Sequence, residues 1–403
     1  MRVFDFILLI LLVVLVLFCW LVFSVFTSLN LPLYYDEFVY IGCGVDYVIN
    51  LTPPINCNFE HPPLGKYLIG FTELLGFSRV FYLLLLFGSS LLAYVLVRGL
   101  LGSGLLGFFV GFLLVLDTVF LNTHRFLLLD PPAIFFLFLS FYFVFVRFSL
   151  VFSGIFFGLG VACKFSVVPY FLVFLYVFVR RWGFLSRRFI VGLFSFVCVV
   201  VFSYFLTYVA DLILGPYAII HHHVLMFSYM FWRHGFSLPV ALNGLLKLIS
   251  KVEVWHYGGY FMFTYTTINS TLTLVNSTFV PGSGLLTRLG LGLGSMFWYV
   301  MFPSLLINTY IVLTRESRFS EGLVCLAGWV SLTTILTGPL DWYYVNTLPL
   351  LYTNVALLIK HLTRGREYLL KYVVTGLISV QFLITLLTIT GHIPYSVEFS
   401  LPG

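Results

Sequence analysis

Long, uninterrupted apolar runs constrain this chain more than any other feature. The first, Phe6 to Leu29, follows a lone Arg2 and holds 24 residues without a charge. A helix of that length spans a hydrocarbon core of about 30 Å. A cleaved signal peptide would have a shorter apolar core and a small-residue cleavage site, so the run reads as a retained anchor. Composition agrees: 61% of the 403 residues are hydrophobic, 20% aromatic and only 9% charged, far outside the soluble range. The fold class expected is therefore an all-α integral membrane protein.

Further stretches near 20 residues occur at 79–97, 103–121, 131–148, 150–163, 167–179, 189–214, 292–313, 322–338, 343–361 and 369–390, which with the anchor makes eleven spans. The fifth and sixth meet at Lys164-Phe165-Ser166, so one broken helix and two separate ones are both open. A cytoplasmic N-terminus puts 13 of the 21 basic residues inside, including the Arg180-Arg181 and Arg187-Arg188 cluster. Eleven spans then leave the C-terminus, Gly391 to Gly403, outside.

The Asn-x-Ser/Thr sequons at Asn50, Asn269 and Asn276 all fall in outer loops on this topology, where glycans are added. The longest connection, 215–291, is also outer and rich in aromatic residues; its expected form is short amphipathic helices on the membrane surface. No repeat or soluble module interrupts the pattern, so residues 1–403 read as one integral domain. Of six cysteines, Cys43 and Cys57 share the first outer loop and could pair in an oxidising compartment.

Charge is scarce, so where it survives at the bilayer edge it signals a function. Asp36-Glu37 stand just beyond the first span, and two dozen residues later come His61-Pro62-Pro63-Leu64-Gly65-Lys66. Two adjacent carboxylates there could be solvated, hold a metal, or supply a general base with its support. Residues 64–76 read as an amphipathic surface helix that holds Lys66 near the interface. A second group begins near the end of the third span with Asp117 and continues with Asn122, His124, Arg125 and Asp130, the last read as capping a helix that opens on Pro131. Lys164 lies among apolar spans at a cost of roughly 2.5–3.5 kcal/mol, and so should pair, snorkel or meet a ligand. His221-His222-His223 cannot all face one ion, since neighbours on a helix diverge by about 100°; a surface-loop role is expected and no metal is assigned.

These motifs, in this order, resemble the dolichyl-phosphate-mannose protein O-mannosyltransferases and their polyprenyl-phosphate-dependent relatives of the GT-C type. Asp36-Glu37 looks like the family's diagnostic pair, and His61-Pro62-Pro63-Leu64-Gly65-Lys66 is similar to its His-Pro-Pro-Leu-x-Lys. Arg125 with Leu128-Leu129-Asp130 matches Arg-x-x-x-Leu-Asp, and Gly158 to Phe165 resembles Gly-x-x-x-Ser-x-Lys-Trp. The likeness is best over residues 1–180, the motif-bearing core. It implies eleven spans with the N-terminus inside and the C-terminus outside.

The resemblance implies that Asp36 is the general base taking a proton from an acceptor hydroxyl, with inversion at the anomeric carbon, and that Glu37 orients the site. Arg125 and Lys164 would hold the donor phosphate, Lys66 being a weaker candidate, with His61 and Asp130 in support. The implied activity is transfer of a sugar, mannose in the family, from a polyprenyl (dolichyl) phosphate to a protein Ser/Thr hydroxyl. The site would face the outer or lumenal side of a cell or endoplasmic reticulum membrane. Cys163 and Phe165 depart mildly from the lysine motif. The eukaryotic members carry a soluble outer module that this chain lacks, which leaves the acceptor open. Alternatives are another sugar passed to a lipid or glycan, or a lipid-linked-sugar transporter; against the latter, charge collects at outer ends and not at mid-membrane. No cofactor is assigned, although related enzymes leave a divalent cation open, and neither composition nor the charge of +6 points to nucleic acid.

Overall fold

The computed structural model describes residues 3–26, 35–117, 120, 123–124, 126–234, 264–268, 271–275, 286–288, 297–315, 317–334, 345–363 and 366–389. Arg125, Asn122, Asn269, Asn276, residues 335–344 and the C-terminal segment from 390 lie outside the described residues.

Each of the eleven expected spans carries a helix. In chain order the helices are α1 (Val3–Phe26), α2 (Tyr35–Ile49), α3 (Leu64–Leu74), α4 (Ser78–Leu101), α5 (Gly104–Leu116), α6 (Asp130–Phe145) and α7 (Leu150–Cys163). After them come α8 (Phe171–Trp182), α9 (Arg187–Phe205), α10 (Ala218–His234), α11 (Trp298–Thr314), α12 (Phe319–Ser331), α13 (Leu348–Leu362) and α14 (Glu367–Ile389). Among the described residues, four stretches are long and apolar enough to cross a membrane: Ser78–Leu101, Phe165–Trp182, Arg187–Leu214 and Glu367–Ile384. Shorter apolar helices fill the space between them.

The core forms around α5. Every residue from Leu106 to Leu116 is buried, as expected of a helix apolar all round, and α1, α4, α13 and α14 pack on it. Small residues allow the closest approaches. A Cβ at Gly44 would sit 2.2 Å from the Lys66 carbonyl, so α2 and α3 cross with their backbones in contact. At Gly158 on α7 a Cβ would meet the Val200 carbonyl of α9 at 2.6 Å.

Lys164 settles the relation between the fifth and sixth stretches. Its backbone is extended (φ −158°, ψ 134°), ending α7, and a 3₁₀ turn over Phe165–Tyr170 leads into α8. The rings of Phe157 and Phe174 then lie 4.8 Å apart, and both touch Phe196. In one continuous helix these rings would be roughly 25 Å apart, at about 1.5 Å per residue. The chain therefore folds back, and the two legs are separate.

Several expectations need correction. Asp36 and Glu37 stand in the first turn of a helix, not in a loop. The buried positions of α2, namely Glu37, Tyr40, Cys43, Gly44 and Tyr47, recur at helical spacing, a pattern readable in the sequence. The third span stops at Leu116, because Asp117 turns extended. Asp130 does not cap α6; Leu129 holds that position and Asp130 is the first helical residue.

The 215–291 loop contains α10 but also three short strands, β1 (Thr264–Ile268), β2 (Thr271–Val275) and β3 (Leu286–Arg288), in an antiparallel sheet of order β2-β1-β3. Its Thr-rich, β-branched segments favour a pleated surface over the amphipathic helices expected there.

Candidate active site

The carboxylate of Glu37 is wholly buried and held from two sides. Its Oε1 accepts the Leu127 backbone N–H at 3.0 Å and pairs with Arg79 Nη1 at 2.5 Å. One turn along α4, the Tyr82 hydroxyl donates to the Leu128 carbonyl at 2.6 Å. The first turns of α4 thus hold both the start of α2 and the 127–128 backbone. Arg79, which the sequence reading took only as the edge of a span, is the residue it missed here. Asp36 stands about 100° round the helix from Glu37 and is half-buried. Both carboxylates lie at a helix N-terminus, where the backbone dipole favours negative charge.

Three residues beyond Leu127, Asp130 collects a second group. Its Oδ2 lies 2.6 Å from Lys164 Nζ, both side chains being almost completely covered. Its Oδ1 accepts from Asn346 Nδ2 at 3.1 Å, and the same amide nitrogen donates to Ser166 Oγ at 3.2 Å. The Tyr170 hydroxyl donates to the Asn346 carbonyl at 2.8 Å. The Asn346 side-chain oxygen is buried with no partner among the described residues, a state that costs about 1–3 kcal/mol. Sequence reasoning left Asn346 unassigned because it lies 216 residues from its carboxylate partner.

Between the two groups, Asp117 accepts from the Phe120 N–H at 3.0 Å and from the Tyr352 hydroxyl at 2.5 Å, fixing the turn after α5. His124 donates from Nδ1 to the Phe120 carbonyl at 2.8 Å. Burial pushes its pKa down to about 4, so the ring is neutral, and its buried Nε2 has no partner.

Lys66 is placed otherwise than expected. It is completely buried, and its ammonium reaches the Asn58 carbonyl at 2.5 Å, Asn58 Oδ1 at 3.2 Å and the His61 carbonyl at 3.0 Å. Three acceptors match its three N–H donors, so in this structure the ammonium closes the 58–66 loop. His61 takes part through its backbone carbonyl, while its ring packs edge-on against Tyr40. Cys43 and Cys57 are joined by a disulfide with a Cα–Cα distance of 5.6 Å, and the Tyr47 hydroxyl donates to the Cys57 carbonyl.

The histidine triplet also departs from a surface role. His221 is exposed, but His222 is fully buried, with Nδ1 2.6 Å from Asp211 Oδ2 and Nε2 3.2 Å from the Phe59 carbonyl. Asp211 Oδ1 in turn accepts the Ile55 N–H at 3.0 Å. This pair ties the loop between α2 and α3 to the 206–226 segment.

Glu37 is taken by Arg79 and Leu127, Asp130 by Lys164 and Asn346, and among the described residues no three His, Cys, Asp or Glu side chains gather.

No protein-family profile matches the chain, and no curated protein matches it in sequence. Solved structures do match in shape. ArnT from Cupriavidus metallidurans, in a crystal structure bound to undecaprenyl phosphate, aligns at a TM-score of 0.54 with 15% identity, over 86% of this chain and 60% of that one. The chain shares its fold with this protein over the matched part. An Archaeoglobus fulgidus oligosaccharyltransferase in complex with zinc and sulfate aligns at 0.52 with 12% identity, over 94% of this chain and 52% of that one. The same enzyme tethered to an acceptor peptide aligns at 0.50 with 14% identity, over 96% and 54%. The chain thus spans little more than half the length of these proteins, and at such identities the likeness is one of fold.

Proposed function

We propose that this protein is a membrane glycosyltransferase that takes a sugar from a polyprenyl-phosphate donor at the outer or lumenal face and passes it, with inversion, to a hydroxyl acceptor. The observation that carries the reading is the buried Lys164–Asp130 pair at the break after α7, in a fold similar to that of ArnT, which was crystallised with a polyprenyl phosphate. A lysine already neutralised by a carboxylate can turn toward an arriving phosphate without first being stranded as a bare charge.

In this reading Asp36 accepts the proton of the acceptor hydroxyl as its oxygen attacks the anomeric carbon. The bond from that carbon to the phosphate oxygen breaks, and polyprenyl phosphate leaves with the electron pair. Lys164, with Arg125, stabilises the charge that develops on the leaving group. Glu37, fixed by Arg79, holds the first turn of α2 so that Asp36 keeps its reach. In its finer form the reading takes mannose as the sugar, dolichyl phosphate as the carrier and protein Ser/Thr as the acceptor, following the motif resemblance. The membrane topology belongs to the same proposal, with the N-terminus cytoplasmic and the 215–291 loop outside.

The test is incubation of the purified protein with radiolabelled polyprenyl-phosphate sugars, following label into protein, lipid and water. Asp36→Asn keeps the shape of the side chain but cannot take a proton. It should lower turnover by roughly 10²–10⁴-fold with donor affinity held within a few-fold. A variant that keeps most of its turnover removes Asp36 as the base, and absence of transfer from every donor removes the enzyme reading.

A further inference from the structure

Asn346 combines three properties. It is 2% exposed, it belongs to the Asp130–Lys164 group, and its Oδ1 has no hydrogen-bond partner among the described residues. The orientation of its amide is set by chemistry: Asp130 Oδ1 can only accept, so the NH₂ must face it, with Ser166 as second acceptor. The oxygen then points away from both. Tyr170 pins the backbone at the same residue through its carbonyl, so the side chain cannot turn freely to cure the defect. Buried polar atoms are nearly always paired, and an exception beside a candidate site calls for a ligand that completes it.

The chemistry of the missing partner follows from the atom. An amide oxygen only accepts, so the partner must donate. A phosphate ester ionised at neutral pH offers acceptors, and a polyprenyl chain offers neither; a sugar ring offers several O–H donors. His124 Nε2 repeats the pattern: it is buried, unpartnered and, with Nδ1 donating to Phe120, an acceptor.

We propose that Asn346 Oδ1 accepts a hydrogen bond from a ring hydroxyl of the donor sugar, making Asn346 a specificity-determining contact while the neighbouring Lys164 meets the phosphate. The inference rests on the glycosyltransferase reading. Oδ1 is covered in this structure, so the contact forms as the arriving sugar displaces the side chains over it.

The experiment uses the purified full-length chain, the polyprenyl-phosphate sugar it transfers best, and each monodeoxy version of that donor. Wild type should lose about tenfold in kcat/KM for one monodeoxy donor, the worth of one neutral hydrogen bond whose buried partner is left unpaired. Asn346→Ser, whose hydroxyl can still donate to Asp130, should lose about as much on the parent donor and should no longer discriminate against that monodeoxy donor. Asn346→Ala is the second variant, and thermal melting shows that each is folded. A uniform loss across parent and monodeoxy donors would make Asn346 merely structural and overturn the proposal, as would a flat wild-type profile. Discrimination that instead follows deoxygenation of the acceptor assigns the contact to the other substrate and overturns the donor assignment. If wild type transfers no sugar at all, the enzyme reading fails first and takes this inference with it.

Discussion

Lys164 Nζ and Asp130 Oδ2 are 2.6 Å apart, the lysine at the end of α7 and the aspartate in the first turn of α6. Neither charge would be tolerable alone at this depth. Opposed, they cancel, and Asn346 satisfies the second carboxylate oxygen. The pair stabilises the fold, and on the proposed function its lysine also meets the donor phosphate, so the two roles must be separated by experiment.

Replacing one partner strands the other. Asp130→Asn or Lys164→Met should each destabilise the protein by about 3–5 kcal/mol, the usual result of breaking a buried pair. Asp130→Asn with Lys164→Met should recover most of that stability, since no bare charge is left. Transfer activity should stay low in the double variant, because the phosphate has lost one of its two proposed cations and keeps only Arg125. Melting in detergent beside the transfer assay checks this, and a fully active double variant would refute the phosphate contact.

Arg79 and Glu37 make a similar test for the base. Glu37 is completely buried while Arg79 is partly exposed, so the arginine matters mainly as the partner that holds the carboxylate in place. Arg79→Ala should lower turnover by about 10–100-fold, by releasing the first turn of α2 and misplacing Asp36. Glu37→Gln should cost less on its own and should partly rescue Arg79→Ala, because an amide needs no counter-charge and can still accept from Leu127. Turnover in the four proteins of the cycle measures the coupling. Strictly additive losses would mean that the two side chains act independently.

The local patterns that the sequence displays are those that lie close together along it. Apolar runs place the helices, the stripe from Glu37 to Tyr47 marks α2, and the motif order singles out Asp36, Asp130 and Lys164 before any partner is known. What stays hidden depends on tertiary contact. Asn346 meets Asp130 from 216 residues away, and Arg79 looks like an ordinary boundary arginine until Glu37 lies beside it. Lys66 reads as a free cation because nothing local shows that Asn58 and His61 turn their carbonyls onto it. His222 reads as a surface residue because its partner Asp211 lies 11 positions back, inside the 3₁₀ segment Leu206–Leu214, where α-helical spacing does not apply.

Burial pushes the pKa of Lys66 from its ordinary 10.5 down to about 7, against the opposing pull of Glu60 and Asp211. The unfolded chain keeps the proton up to the ordinary value, while the folded protein sheds it near neutrality. Between pH 7 and 10.5 the unfolded state therefore binds more protons, and stability rises with pH. The melting temperature of wild type should climb relative to Lys66→Met as pH goes from neutral into this window. A difference that stays flat would mean that the carbonyls of Asn58 and His61 keep the ammonium charged throughout.

The disulfide between Cys43 and Cys57 ties α2 to the loop that returns to Lys66, the two cysteines standing 14 positions apart. Closing a loop of roughly 15 residues stabilises by about 3 kcal/mol in the chain-entropy account, by limiting the unfolded chain. Around the bridge, Tyr47 holds the Cys57 carbonyl and Asp211 holds the Ile55 N–H, so the loop has other ties when the bond is cut. Cys43→Ser with Cys57→Ser should therefore lower the melting temperature and still give a folded protein. Its effect on transfer should fall on turnover more than on donor affinity, because α2 carries Asp36 while the phosphate cations lie elsewhere. Non-reducing peptide mapping should recover the linked pair from native protein. Two thiols that alkylate without prior reduction would show the bridge absent, leaving the hydrogen bonds from Tyr47, Lys66 and Ile55 as the ties that order the loop.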